Sequence, residues 1–290
     1  MTVATALAVG VMRLRSKEAA AEVQPSAAAD AQRLLGEVLG ADRTWLIAHA
    51  ESELDGHDLD AFGILLDERM RGVPIPYLTH ACGFFGREFY VDERVLVPRP
   101  ETEHLVEAAL EDLRSRAQDG HGLRALDVGT GSGAIAVTLA AELPGLAVTA
   151  TDTSGDALQV ARLNAGSLGV DACVRFVESD LSEALGDTPF DCIIANLPYI
   201  PTSEIPMPPD PVGFEPRVAL DGGTDGLDAY RKLASRLPSL VARGASVFLE
   251  AAPPTIEGLE SIVRDGLAGA SVRAVKDYAG LYRFVVAKFD

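Results

Sequence analysis

Cysteine is scarce: Cys82, Cys173 and Cys192 stand far apart in a chain of 290 residues. With no CxxC pair they build neither a disulfide framework nor a cysteine zinc site, and they read as reduced thiols of a cytoplasmic protein. Positive charge is short as well. Lys and Arg number 25 against 43 Asp and Glu, a net charge of −18, and no Lys/Arg run concentrates the minority. A direct grip on nucleic acid, which depends on neutralising phosphates, is therefore not expected. Long apolar runs are missing too: nothing approaches the ~20 residues that span a bilayer. In the opening "MTVATALAVGVMRLR" the basic residues follow the apolar part, which reads as the start of a soluble helix and not as a signal peptide. The histidines, His49, His57, His80, His104 and His121, lack ligand spacing, so no metal is expected.

What remains is a globular composition, 48% hydrophobic and 23% charged, in a chain long enough for a large and a small domain. No repeat of fixed period is visible. Helical spacing in "AAADAQRLLGEVLG" and "DAFGILLDERMRG" predicts a helical N-terminal domain over 1–73. Prolines, aromatics and alternation then predict a β-hairpin connector over 74–100. "ETEHLVEAALEDLRSRA" returns to helix, "QDGHG" marks a turn, and the larger domain fills 101–290. Within it "RALDVGTGSGAIAVTLAAELPGLAVTATD" reads as strand, glycine turn, helix, strand, the βαβ unit that opens a parallel sheet. Further strands are predicted at "VRFVES", "FDCIIAN", "ASVFLEAA" and "YRFVVAKF".

The glycine turn carries the first chemical signal. The strand ends at Asp127, and Gly129, Gly131 and Gly133 alternate with Thr130 and Ser132. Glycine lets the backbone turn sharply and approach a ligand where a Cβ would intrude. The dinucleotide fingerprint G-x-G-x-x-G is not matched. The D-x-G-x-G-x-G pattern resembles motif I of class I S-adenosylmethionine (SAM) methyltransferases. That resemblance implies SAM as cofactor, held by Asp127 and the turn, with Asp152 at the end of "VTATD" on the ribose hydroxyls and Asp180 and Leu181 at the adenine.

The second signal is Asn196, an amide that ends the apolar strand "DCIIAN" and is expensive to bury without partners. Ligands of such sheets sit outside the carboxyl ends of the strands. A planar –NH2 is a poor nucleophile. If the Asn196 side-chain oxygen takes one N–H and the Leu197 carbonyl the other, the lone pair is aimed and charge developing on nitrogen is stabilised. Pro198 would shape this segment, and Tyr199 would offer a flat face to the acceptor. A strand-capping Asn before a Pro turn is the bland alternative.

N-x-P-Y resembles motif IV of amino-directed methyltransferases, and its surroundings resemble the release-factor glutamine methyltransferases. "DAQRLLGEVLGADRTWLIAHAESEL" and "LLDERMRGVPIPYLT" are similar to their helical N-terminal domain. "FFGREFYVDERVLVPRPETEHLV" and "FEPRVALDGGTDGLDAYRKL" are similar to their two most diagnostic blocks. The resemblance implies a seven-stranded Rossmann-like α/β methyltransferase domain behind a helical domain that docks substrate. It also implies transfer to the glutamine amide of the GGQ motif of peptide chain release factors.

Four departures bear on the acceptor. The family's N-P-P-Y reads N-L-P-Y here, which restores an N–H at Leu197 while Pro198 keeps that residue extended. His80 stands where the family has glycine, "AAPP" follows "SVFLE" where an E-I-G-like turn is expected, and "AGLYRFVV" is less polar than its counterpart. They leave open a paralogue methylating another protein or a small metabolite. N-L-P-Y is also the form of rRNA adenine dimethyltransferases, so an adenine amino group is a rival acceptor, and a SAM-binding protein without transfer is a rival of another class. Glu101 and Glu103 form either a catalytic pair or an acidic helix start with Thr102 near the cap. "LPYIPTSEIPMPPDPVGFEP" reads as the wall of the acceptor pocket, with a polyproline ligand as alternative. "DGGTDGLDAY" reads as a turn before a helix and lacks an EF-hand's ligand pattern.

Overall fold

The computed structural model describes residues 1–117 and 122–289; most of the turn predicted at "QDGHG", His121 included, lies outside them. The described residues divide into two compact units, 1–81 with 206–215, and 82–205 with 216–289.

The first unit is helical: α1 (Val3–Leu14), α2 (Ala27–Leu39), α3 (Arg43–Ala48), α4 (Gly56–Met70) and α5 (Ile75–Thr79). Its helix starts are chemically marked. Thr2, Asp42 and Asp55 each accept a backbone N–H three residues on, capping α1, α3 and α4. Leu34, Leu35, Leu46, Phe62 and Leu66 fill the centre. Beside them a buried pair, Arg69 Nε to Asp30 Oδ2 at 2.8 Å, is completed by the Ser26 hydroxyl on Asp30 at 2.7 Å.

This unit runs past the expected boundary at residue 73. Pro74 opens α5, whose Ile75 and Leu78 pack on the helical core, so the connector is shorter than 74–100 and only Ala81–Phe84 (β1) and Arg87–Tyr90 (β2) form its hairpin. His80 ends α5 in the left-handed conformation, φ 50°, which explains why a glycine suits this position. Part of the proline-rich run also belongs here. Gly72, at φ +99°, lies so close to Pro209 that a Cβ would sit 1.9 Å from its carbonyl oxygen.

The second unit contains α6 (Pro100–Arg116), β3 (Arg124–Val128), α7 (Ala134–Glu142), β4 (Ala147–Asp152), α8 (Gly155–Ser167), β5 (Val174–Glu178), β6 (Phe190–Asn196), α9 (Arg217–Leu220), α10 (Asp228–Leu240), β7 (Val241–Glu250), α11 (Ile256–Gly266), β8 (Ser271–Lys276) and β9 (Tyr282–Lys288). Among the described residues they build one seven-stranded sheet in the order β5-β4-β3-β6-β7-β9-β8. The first five are parallel, and β9 runs antiparallel to both its neighbours.

Alternate side chains enter opposite layers, as the pleat requires. Ala125 and Ile194 join the layer containing Leu105, Leu110 and Val137. Leu126, Ile193 and Ala195 join the layer containing Tyr230, Leu237, Leu259 and Val263. β8, absent from the expected strands, is an edge strand of intermediate and exposed residues, and so lacks the apolar run that marked the others. The chain leaves β3 toward β4 on one side, whereas β6 pairs on the other. That reversal opens a crevice at the carboxyl ends of β3 and β6, where ligands of open α/β sheets bind. No helix among the described residues is long and apolar enough to cross a membrane.

Candidate active site

The glycine turn after β3 is braced by two carboxylates. Asp127 is fully buried, and its Oδ2 accepts the Thr130 hydroxyl at 2.6 Å and the Ala136 N–H at 3.1 Å, which ties the turn to the first turn of α7. Burial pushes its carboxyl up to about 7. Asp152, ending β4, accepts the Gly131 N–H and the Ser154 N–H, each at 2.9 Å. Burial raises its carboxyl as well. Gly129 takes the left-handed backbone that favours glycine, φ +74°, and a Cβ there would come within 2.9 Å of Leu197 Cδ2.

A cavity of about 280 Å³ lies over this turn. Gly129, Thr130, Gly131, Ser132, Asp152, Asp180, Leu181, Asn196, Leu197 and Pro198 are among the residues that line it, as are Arg94, Arg99 and Thr102. Three predicted residues do not. Asp127 is buried, Gly133 stands at the start of α7 facing Ala161 and Val137, and Tyr199 packs beside the layer that holds Tyr230. Asp127 therefore acts on the turn, not on a ligand. A Cβ at Gly131 would project into open space, so the turn is a floor on which a group can rest. Asp152 lies beside it, with acceptor capacity left for hydroxyl groups. Leu181, at φ 51°, is a left-handed leucine on the cavity wall, whereas the exposed Asp180 carboxylate meets Lys232 Nζ at 2.5 Å. A glycine floor, a carboxylate at its side and an apolar wall fit SAM.

At the opposite rim, Asn196 ends β6, in register with Glu250 at the end of β7. Its Nδ2 donates to Thr102 Oγ1 and to Glu250 Oε1, both at 3.1 Å. With both protons so engaged, Oδ1 is the end of the carboxamide left to accept from a ligand. The Leu197 N–H, which proline would lack, donates to the buried Tyr230 hydroxyl at 3.1 Å. That hydroxyl also contacts the Glu250 carbonyl. The hydroxyl stands 3.3 Å from the Leu197 carbonyl as well; its single proton serves one carbonyl at a time, and when directed to Glu250 it leaves the Leu197 carbonyl to accept from another donor.

The acids of the P-R-P-E-T-E segment are not a catalytic pair. Glu103 accepts the Phe85 N–H at 3.0 Å, and Glu101 faces Arg283 at 3.7 Å. They are the acidic first turn of α6, whose cap is Arg99; Thr102, three residues on, is buried against Asn196. In the proline-rich run, Leu197 and Pro198 line the cavity but 206–215 belong to the first unit.

Sequence reasoning missed Glu250 and Tyr230. The signal for Glu250 was the one that exposed Asn196, a polar residue closing the apolar strand "SVFLE". Tyr230 had none, because it stands among the apolar positions of α10.

The PrmC N-terminal domain family matches residues 6–79, and the methyltransferase small domain family matches residues 105–205. A release factor glutamine methyltransferase of Chlorobaculum tepidum is 42% identical over 87% of this chain and 87% of its own length. One of Moorella thermoacetica is 40% identical over 89% of this chain and 90% of its own. In three dimensions a methyltransferase of Pyrococcus furiosus superposes with a TM-score of 0.50 and 23% identity, over 71% of this chain and 89% of that one, which shows the fold. The chain belongs to the release factor glutamine methyltransferases, a family of SAM-dependent enzymes of the class I fold.

Proposed function

We propose that this protein methylates the side-chain amide nitrogen of the glutamine in the GGQ motif of peptide chain release factors. The observation that carries the reading is the anchored carboxamide of Asn196, whose oxygen is left for a donor at the cavity rim. Bound SAM would supply an electrophilic methyl on a positively charged sulfur; transfer would break the C–S bond, form the N–C bond, leave S-adenosylhomocysteine as the neutral thioether and pass one amide proton to solvent.

The chain's part is placement. Gly129, Thr130, Gly131 and Ser132 hold the methionine end of the cofactor, Asp152 its ribose hydroxyls and Leu181 its adenine, with Asp180 at the edge of that subsite. The Asn196 side-chain oxygen takes one N–H of the acceptor amide and the Leu197 carbonyl the other. Nitrogen is thereby oriented, and positive charge on it is stabilised as it develops. Pro198 keeps Leu197 extended. Tyr199, half-buried, supports this segment from behind. The helical unit docks the acceptor protein.

The test is incubation with methyl-labelled SAM and unmethylated release factor, followed by peptide mass spectrometry. Label on the GGQ glutamine supports the reading. Label only on a small metabolite, another protein or an RNA adenine replaces the acceptor, and SAM binding without transfer to any acceptor replaces the activity.

A further inference from the structure

A carboxamide has two ends of nearly equal shape and opposite chemistry. An asparagine that must present its oxygen therefore needs something to forbid the flipped orientation. An ionised carboxylate does so, because it only accepts: the end of Asn196 that meets it must be the –NH2. Glu250 is the group so placed. It is 3% exposed, in register with Asn196 on the adjacent strand, and its Oε1 takes the Nδ2 proton at 3.1 Å. The Thr102 hydroxyl, which takes the other proton at 3.1 Å, can donate or accept, so by itself it does not choose.

We propose that Glu250 is a positioning residue for methyl transfer, whose carboxylate fixes the Asn196 side chain with its oxygen toward the acceptor. The inference rests on the two-acceptor reading of Asn196 and adds the group that makes it work. Glu250 does not touch the acceptor.

Its surroundings make this device sensitive to pH. Burial is the main cause that pushes the Glu250 carboxyl up to about 7, with Glu101 adding to it, while the Thr102 hydroxyl, Arg283 and Arg99 oppose. Tyr199 and Tyr230 complete the titratable groups around it, and burial raises both above the ordinary phenol range. Once protonated, Glu250 can donate as well as accept and no longer dictates which end of Asn196 it meets.

The experiment compares the full-length protein with Glu250→Gln and Thr102→Val. Its first readout needs no acceptor: the Asn196 side-chain –NH2 signal in a 15N-labelled sample, identified by its loss in Asn196→Ala. This signal is expected to titrate with a midpoint near 7 in the wild type and to be flat with pH in Glu250→Gln. The second readout is transfer to release factor. Here kcat is expected to fall about tenfold or more in Glu250→Gln, with KM and SAM affinity within about twofold, and its acid limb is expected to disappear. An –NH2 signal indifferent to pH and to Glu250→Gln, or an unchanged kcat, overturns the role of Glu250. A wild type inactive on release factor overturns the acceptor assignment instead, and the –NH2 titration still decides on Glu250.

Discussion

The backbone N–H of Leu197 donates to the Tyr230 hydroxyl at 3.1 Å, where both groups are buried. A family that carries proline at this position has no such proton to satisfy. Leucine here brings a donor into a buried strand end, and α10 supplies the acceptor. The same hydroxyl contacts the Glu250 carbonyl, so one side chain bridges the ends of β6 and β7.

Tyr230→Phe should therefore leave two buried backbone groups without a partner and lower stability by about 1–3 kcal/mol. In a Leu197→Pro background the N–H is gone, and the same substitution should cost less. Urea denaturation of the four proteins of this cycle measures the coupling; strictly additive losses would show that the N–H has no stake in Tyr230.

Asn196→Ala removes the acceptor oxygen without touching the glycine floor. Transfer should fall about 100-fold or more, with SAM affinity by calorimetry within a few-fold of the wild type. A variant of full activity would remove Asn196 from the mechanism.

Gly129→Ala sets a side chain at φ +74° and drives a methyl to 2.9 Å from Leu197 Cδ2. The left-handed backbone alone costs about 1–2 kcal/mol. SAM affinity and thermal stability should fall together, because floor and rim meet at this contact. Unchanged SAM affinity in a folded variant would refute that coupling.

Asp127 gives a pH test of stability. Its folded value of about 7 lies above the ordinary 3.8, so between those limits the folded state binds more protons than the unfolded chain. The stabilisation this group provides is full below about pH 4 and is lost as pH rises through 7, at up to about 1.4 kcal/mol per pH unit. Asp127→Asn keeps an acceptor for Thr130 and Ala136 but does not titrate. Its stability relative to wild type should climb from pH 4 to 7 and level off above, and chemical denaturation at pH 5, 6, 7 and 8 reads this. A difference independent of pH would contradict the buried titration.

The residues that were legible carry local signatures. Asp127, Gly129, Gly131 and Asp152 fall at fixed offsets around one βα turn, and Asn196 stands out as an amide at the end of an apolar strand. What was missed or misread belongs to segments whose role is set at a distance. The sequence places Thr102 in an acidic helix start, which it is, but gives no sign that a strand far along the chain supplies the partner of its hydroxyl. Pro206 to Glu215 reads as pocket wall because it follows Asn196, whereas the close approach of Gly72 to Pro209 belongs to the helical unit.

By itself the sequence determined the apolar runs that make the strands, the glycines that make the turn, and the polar residues that end β4, β6 and β7. Those depend on backbone sterics and side-chain burial within a few residues. Only the tertiary structure decided that Asn196 and Glu250 stand side by side, because strand register is set by the whole sheet and its packing. It also decided which end of the Asn196 amide is tied down, since a hydrogen bond requires both partners in place and these come from residues 102, 196 and 250.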